Sequence, residues 1–143
     1  MVQAAVNERT SFSLEQATAM LPLLRLIVAD IQLAHRELVE RRLQLHRLIR
    51  RREGKLTQFH DDEFEETKQD VQTEARQLEA FIAELEKLGV LLRSAEDGIV
   101  AFPSVINGSF AYLCWKLGEK EIAFWHAADE TFADRKSLES LRT

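Results

Sequence analysis

The chain changes its hydrophobic period once, at Gly89, and that change limits the folds open to it more than any other feature. Before Gly89, apolar residues recur in sevens. Leu24, Ile31, Leu38 and Leu45 form one series with Val28 and Ile49 on the next seam; Phe64, Val71, Leu78 and Leu85 form another with Ala75, Phe81, Ile82 and Leu88. A repeat of seven draws a stripe along an α-helix and predicts coiled-coil-like pairing. After Gly89 the residues alternate, as in a strand with two faces.

Local signals set the ends. Ser13-Leu14-Glu15-Gln16 has the form of a capping box and predicts a short helix there. Pro22 is expected in the first turn of a new or kinked helix, where its missing N–H is no loss, and that helix runs on to stop before Gly54. Gly89 ends the second helix. A connection from Gly54 to His60 makes the two helices antiparallel neighbours. His35 and Arg42 interrupt the seam, so they are expected near the helix interface, His35 in a structural hydrogen bond and Arg42 snorkelling or paired with a carboxylate.

Charge follows the same division. Arg36 to Lys55 holds eight basic residues against three acidic, and Asp61 to Leu88 holds ten acidic against three basic. Antiparallel packing sets these beside one another, so nucleic-acid binding by the arginines of Arg47 to Arg52 is not expected. The net charge of −5 points the same way.

Strands are predicted near Val90 to Leu92, Ile99 to Ile106, Ser109 to Leu117 and Glu121 to His126. Asn107-Gly108 suits a type I′ hairpin turn and Gly118-Glu119 a type II′ turn, with Pro103 tolerated on an outer strand. The first turn sets Phe102 opposite Leu113 and Val100 opposite Trp115. The second sets Leu113 opposite Phe124, Trp115 opposite Ile122, Lys116 opposite Glu121 and Tyr112 opposite Trp125. One face then carries Val100, Phe102, Leu113, Trp115, Ile122 and Phe124 toward the helices. The other carries Ala101, Phe110, Tyr112, Cys114, Ala123 and Trp125, to be covered by the polar tail, a second copy or a ligand.

A chain of 143 residues with 45% hydrophobic and 30% charged residues is expected to be one folded domain. Its parts are a helical hairpin with a short N-terminal helix (12–89), an antiparallel meander (90–126) and a C-terminal tail (127–143). No signal peptide is recognised and no apolar run reaches the roughly 20 residues of a membrane span, so a cytoplasmic protein without membrane contact is expected. One cysteine fits a reducing compartment.

Both tryptophans and the only tyrosine and cysteine lie between Gly98 and Arg135. A ligand pocket there would use Tyr112, Cys114, Trp125 and His126, with Arg135 for an anion. A metal alternative would use Cys114, Glu119 and His126, with Asp129 nearby, but the register above sends Cys114 and His126 to opposite faces. No catalytic triad, phosphate loop or cofactor motif is found, and no cofactor is expected.

Phe12-Ser13-Leu14-Glu15-Gln16-Ala17 with Leu21-Pro22, Gly98-Ile99-Val100 with Phe102-Pro103, Tyr112 to Glu119, Trp125-His126 and Phe132-Ala133-Asp134-Arg135 together resemble the bacterial family named domain of unknown function 2203. The resemblance spans nearly the whole chain and implies no known activity. The sequence departs from the family pattern at Ala101, where the family carries an acidic residue, and near Thr131 and Asp134, where the family carries glycines. The expectation is therefore an α+β domain, an antiparallel long-helix hairpin packed on a three- to four-stranded antiparallel sheet. It is expected to act as a non-enzymatic interaction or scaffold protein with an unknown protein partner, forming a homodimer; the alternative is a ligand- or metal-binding protein using Cys114 to Arg135.

Overall fold

The computed structural model describes residues 11–53 and 62–141. The connection between the helices, from Gly54 to His60, lies outside them. Two helices, α1 (Leu14–Glu53) and α2 (Asp62–Lys87), precede a sheet of five antiparallel strands in sequential order. These are β1 (Leu91–Ser94), β2 (Ile99–Ile106), β3 (Ser109–Lys116), β4 (Phe124–Ala127) and β5 (Lys136–Ser137). Two short 3₁₀ turns, η1 (Phe132–Asp134) and η2 (Leu138–Leu141), complete the chain.

The capping box forms: the Ser13 N–H donates to Gln16 Oε1 at 2.9 Å, and the Gln16 N–H to Ser13 Oγ at 3.1 Å. The expected break at Pro22 does not. α1 runs unbroken for 40 residues with Pro22 inside it. Thr18, one turn earlier, and Pro22 are both exposed, so water can serve the carbonyl that proline cannot.

The core lies where the first half of α1 meets the last turns of α2 and one sheet face. Ala17, Leu21, Leu24, Val28 and Ile31 of α1 pack with Leu85, Val90, Val100, Phe102, Leu113, Trp115 and Ile122. Phe12 tacks the start of the chain to this base: its N–H donates to Pro103 O at 2.7 Å, its carbonyl accepts from Ser104 Oγ at 2.6 Å, and its ring meets Phe102 edge-on at 5.4 Å. β2 is an inner strand, not the outer one expected. Pro103 is tolerated because β1 pairs only as far as Ala101, and beyond it the β1 side of Pro103 is met by Phe12.

Past the sheet the two helices continue as an arm, with Leu38, Leu48 and Thr67 buried. Arg41 takes the interhelical role expected of Arg42, pairing with Glu74 at 3.2 Å, while Arg42 is exposed. Arg51 meets Glu63 at 3.6 Å, so the basic end of α1 does lie beside the acidic start of α2. His35 is half-buried in a groove with Gln32, Arg36, Glu96 and Asp97.

Asn107 and Gly108, at φ +53° and +79°, make the predicted hairpin, and every pair expected across it is found. The next connection differs. Gly118 turns the chain at φ +104° and Glu119 N–H reaches Lys116 O at 2.9 Å, but pairing resumes only at Phe124. The Trp115 indole donates to Glu119 O at 3.1 Å while Ile122 drops into the core without joining a strand. Phe124 consequently pairs with Cys114, Trp125 with Leu113 and His126 with Tyr112. This is one residue away from the expected register, and one residue turns every side chain of β4 to the opposite face.

Candidate functional site

Partners across a ladder share a sheet face. The face turned away from the helices therefore carries one row of Leu91, Ala101, Cys114 and Phe124, and a second row of Pro103, Tyr112 and His126. Cys114 and His126 lie on the same face, correcting the expectation that the sheet separates them. Trp125 lies on the inner face, packed against the core, and leaves the candidate set.

The expected polar tail is folded. Glu130 accepts the Ala127 N–H at 2.9 Å and the Lys136 ammonium at 3.1 Å, and these bonds, the backbone one foremost, hold its carboxyl below the ordinary range. Asp134 accepts the Thr131 N–H and hydroxyl at 3.0 and 3.1 Å, which lowers its carboxyl likewise. Leu138 donates its N–H to Ala123 O at 2.9 Å, and β5 pairs with β4, adding a fifth strand. Lys136 Nζ then lies 4.8 Å from the Trp125 ring centre.

Two arginines lie on aromatic rings of this region. The guanidinium of Arg93 sits 5.0 Å from the Tyr112 ring centre, and that of Arg135 sits 4.9 Å from Phe124 and 4.0 Å from Phe132. A cation over the face of an aromatic ring is attracted by its quadrupole. Neither arginine side chain donates a hydrogen bond or forms an ion pair among the described residues. With the folded tail they cover the outer face around Cys114 and His126, where Ala101, Cys114 and His126 are 1%, 2% and 3% exposed, whereas the pair Val105 and Phe110 at the end of that face stays 50% and 37% exposed.

Cys114 and His126 have different chemistry available. Burial pushes the Cys114 thiol up to about 11, although Arg135 and Arg93 both pull it down. At neutral pH it is a protonated, buried thiol, a poor nucleophile and a poor metal ligand. The His126 ring stacks obliquely on Tyr112, centres 5.3 Å apart. Its Nδ1 lies 2.7 Å from Ala127 O and so carries the hydrogen, which leaves Nε2 as the ring's uncommitted atom. Beside it opens a cleft of about 450 Å³ lined by Arg93, His126, Ala128, Glu130, Thr131 and Phe132.

The metal alternative is not assembled. The Glu119 carboxylate accepts the Lys116 N–H at 2.9 Å in the turn after β3, and Asp129 is exposed. Among the described residues no three His, Cys, Asp or Glu side chains gather as ligands would.

The sequence model of an uncharacterised conserved protein family, DUF2203, matches residues 10–138. The chain belongs to that family. No curated protein and no solved structure matches it. The match runs through η1 and β5 to Leu138, so the folded tail is part of the DUF2203 unit rather than an appendage.

Two features of this DUF2203 chain escaped the sequence reading. Arg93 was missed because β1 was expected to stop at Leu92. It sits where the β1–β2 register slips, and its one available signal was its parity with Leu91. The second is the outer side of α1, where Leu23, Leu26 and Leu33 are 46%, 67% and 52% exposed. One 18-residue window of this helix is long and apolar enough to cross a membrane, contrary to the expectation from runs of residues, and only 28% of it is buried within the protein. Arg25 and Asp30 interrupt the run without lowering the average of the window enough to exclude it.

Proposed function

We propose that this DUF2203 protein is a non-enzymatic cytoplasmic interaction protein that self-associates through the outer side of α1. The observation that carries this is the exposure of Leu23, Leu26 and Leu33 on a helix whose opposite side is built into the core. Residues 26 and 33 are seven apart and so lie in one column, with the small Ala29 between them. An antiparallel crossing about a twofold axis near Ala29 sets Leu26 against the partner's Leu33 and Leu33 against the partner's Leu26, the reciprocal pattern of an isologous dimer. A helix committed to the core on one side favours this use over insertion in a membrane.

The outer sheet face, by contrast, is covered by the chain itself around Cys114 and His126 and exposes only Val105 and Phe110 at its end. The protonated, buried Cys114 thiol is a poor nucleophile, which supports a binding role for this face over covalent catalysis by that cysteine. A lone cysteine supports the reducing compartment. Sedimentation equilibrium tests the proposal: the wild-type chain is expected at twice its chain mass, and the Leu26→Glu, Leu33→Glu double variant at the single mass with an unchanged circular dichroism spectrum. A wild-type monomer at every concentration, or a variant that still dimerises, would overturn it.

A further inference from the structure

We infer that the cleft between β1 and the β4–η1 connection is a binding site for a small organic carboxylate, with Arg93 clamping the carboxylate and the apolar body of the ligand lying against Phe132 and Ala128. The site is distinct from the helix surface proposed for self-association and stands on separate observations. Its volume of about 450 Å³ falls in the range of small-molecule sites and exceeds what a bare ion requires.

The chemistry of the lining selects the ligand. Arg93 offers a planar fork of donors, none of which has an acceptor among the described residues, and Tyr112 supports it from one side at 5.0 Å. A stacked guanidinium keeps its in-plane donors, and a carboxylate is the acceptor that fits them two at a time. The cleft also contains a carboxylate of its own, Glu130, but that group is already answered by the Ala127 N–H and Lys136. Asp134, next to the cleft lining, is held by Thr131. The positive charge of Arg93 is therefore the one in the lining left without a protein counter-charge, and Arg135, behind the Phe132 ring, adds a second of the same sign.

His126 gives the site its inner wall. It is 3% exposed, and with Nδ1 bound to Ala127 O its orientation is fixed. Nε2 can accept a hydrogen bond, so it can meet a hydroxyl of the ligand. The cleft thus combines a rigid polar group, a charged fork and apolar walls.

The test is a titration of the intact chain with benzoate and, separately, with inorganic phosphate, followed by amide chemical shifts. Benzoate is expected to give saturable shifts confined to residues around Arg93, Tyr112, His126 and Phe132. Arg93→Gln, at an exposed side chain, is expected to weaken that binding at least about tenfold, the loss of a bidentate charged contact. Arg50→Gln, a surface arginine far along the chain, should leave it unchanged. Arg93→Lys should recover only part of the affinity, because it restores the charge without the fork. Absence of saturation, equal binding by wild type and Arg93→Gln, or saturation by phosphate but not benzoate would each overturn the inference; the first two reject the site and the third rejects its ligand class.

Discussion

The two faces of the sheet are built from the same strands by the same alternation, yet they are covered in different ways. The inner face, with Val100, Phe102, Leu113 and Trp115, is closed by α1 and α2, and these four are at most 2% exposed. The outer face is closed around Cys114 and His126 by its own side chains and a folded tail, with Arg93 and Arg135 lying over Tyr112 and Phe124, while Val105 and Phe110 at its end stay exposed. The inner cover is apolar and continuous, whereas the outer one is thin, cationic and attached by long side chains. A face closed by helices serves stability, whereas a face closed by arginines keeps positive charge at the surface.

That contrast can be broken by experiment. The largest effect is expected at Trp115→Ala on the inner face, a loss of about 3–5 kcal/mol from an emptied core site and a lost indole hydrogen bond, measured by urea unfolding. Gly98→Ala comes next. Gly98 has φ +70° and an added Cβ would stand 2.8 Å from Leu117 Cβ, so a loss of about 1–3 kcal/mol is expected in the same assay. On the outer face Arg135→Ala should cost only about 0.5–2 kcal/mol, the range of cation–π contacts for a half-buried cation. If it cost as much as Trp115→Ala, the two covers would not differ in kind.

The outer face also has a titration of its own. Cys114 is protonated in the fold to a higher pH than in the unfolded chain, since burial pushes its thiol up to about 11. Its contribution is therefore fully present below the ordinary thiol range and is lost as the pH rises from there toward 11. Unfolding monitored at increasing alkalinity should show this decline, and Cys114→Ala should flatten that part of the curve. Labelling of the native thiol should be slow at neutral pH; rapid labelling would mean that the thin cover opens readily. In the helical arm, Arg41 and Glu74 provide the smallest change. Their hydrogen bond raises the Arg41 pKa, but the partly exposed pair should contribute no more than about 1 kcal/mol in a double-mutant cycle.

How far the sequence could be read depends on whether a signal was local. The capping box at Ser13, the glycine stop at Gly89 and the Asn107-Gly108 turn each rest on residues adjacent in the chain, and each was found where expected. Pro22 was misread because its cost depends on whether water reaches the opened carbonyl. The register of β4 was misread because a buried Trp115 and an inserted Ile122 lengthen the connection that two residues could have closed. From that one slip followed the wrong placement of Trp125 and the false separation of Cys114 from His126. Tyr112, Cys114, His126 and Arg135 were legible as a group from their scarcity and closeness in sequence. Arg93 was not, because it comes from a strand on the far side of the sheet.

By itself the sequence determined that two long helices precede an antiparallel sheet, because periods of seven and of two are written in the order of the residues. It also determined family membership, through a motif that runs into the tail. Only the tertiary structure decided which side chains share a face and which arginine lies on which ring. Those relations depend on the length of irregular connections and on contacts between residues far apart in the chain, where a shift of one position reverses a strand without altering its pattern.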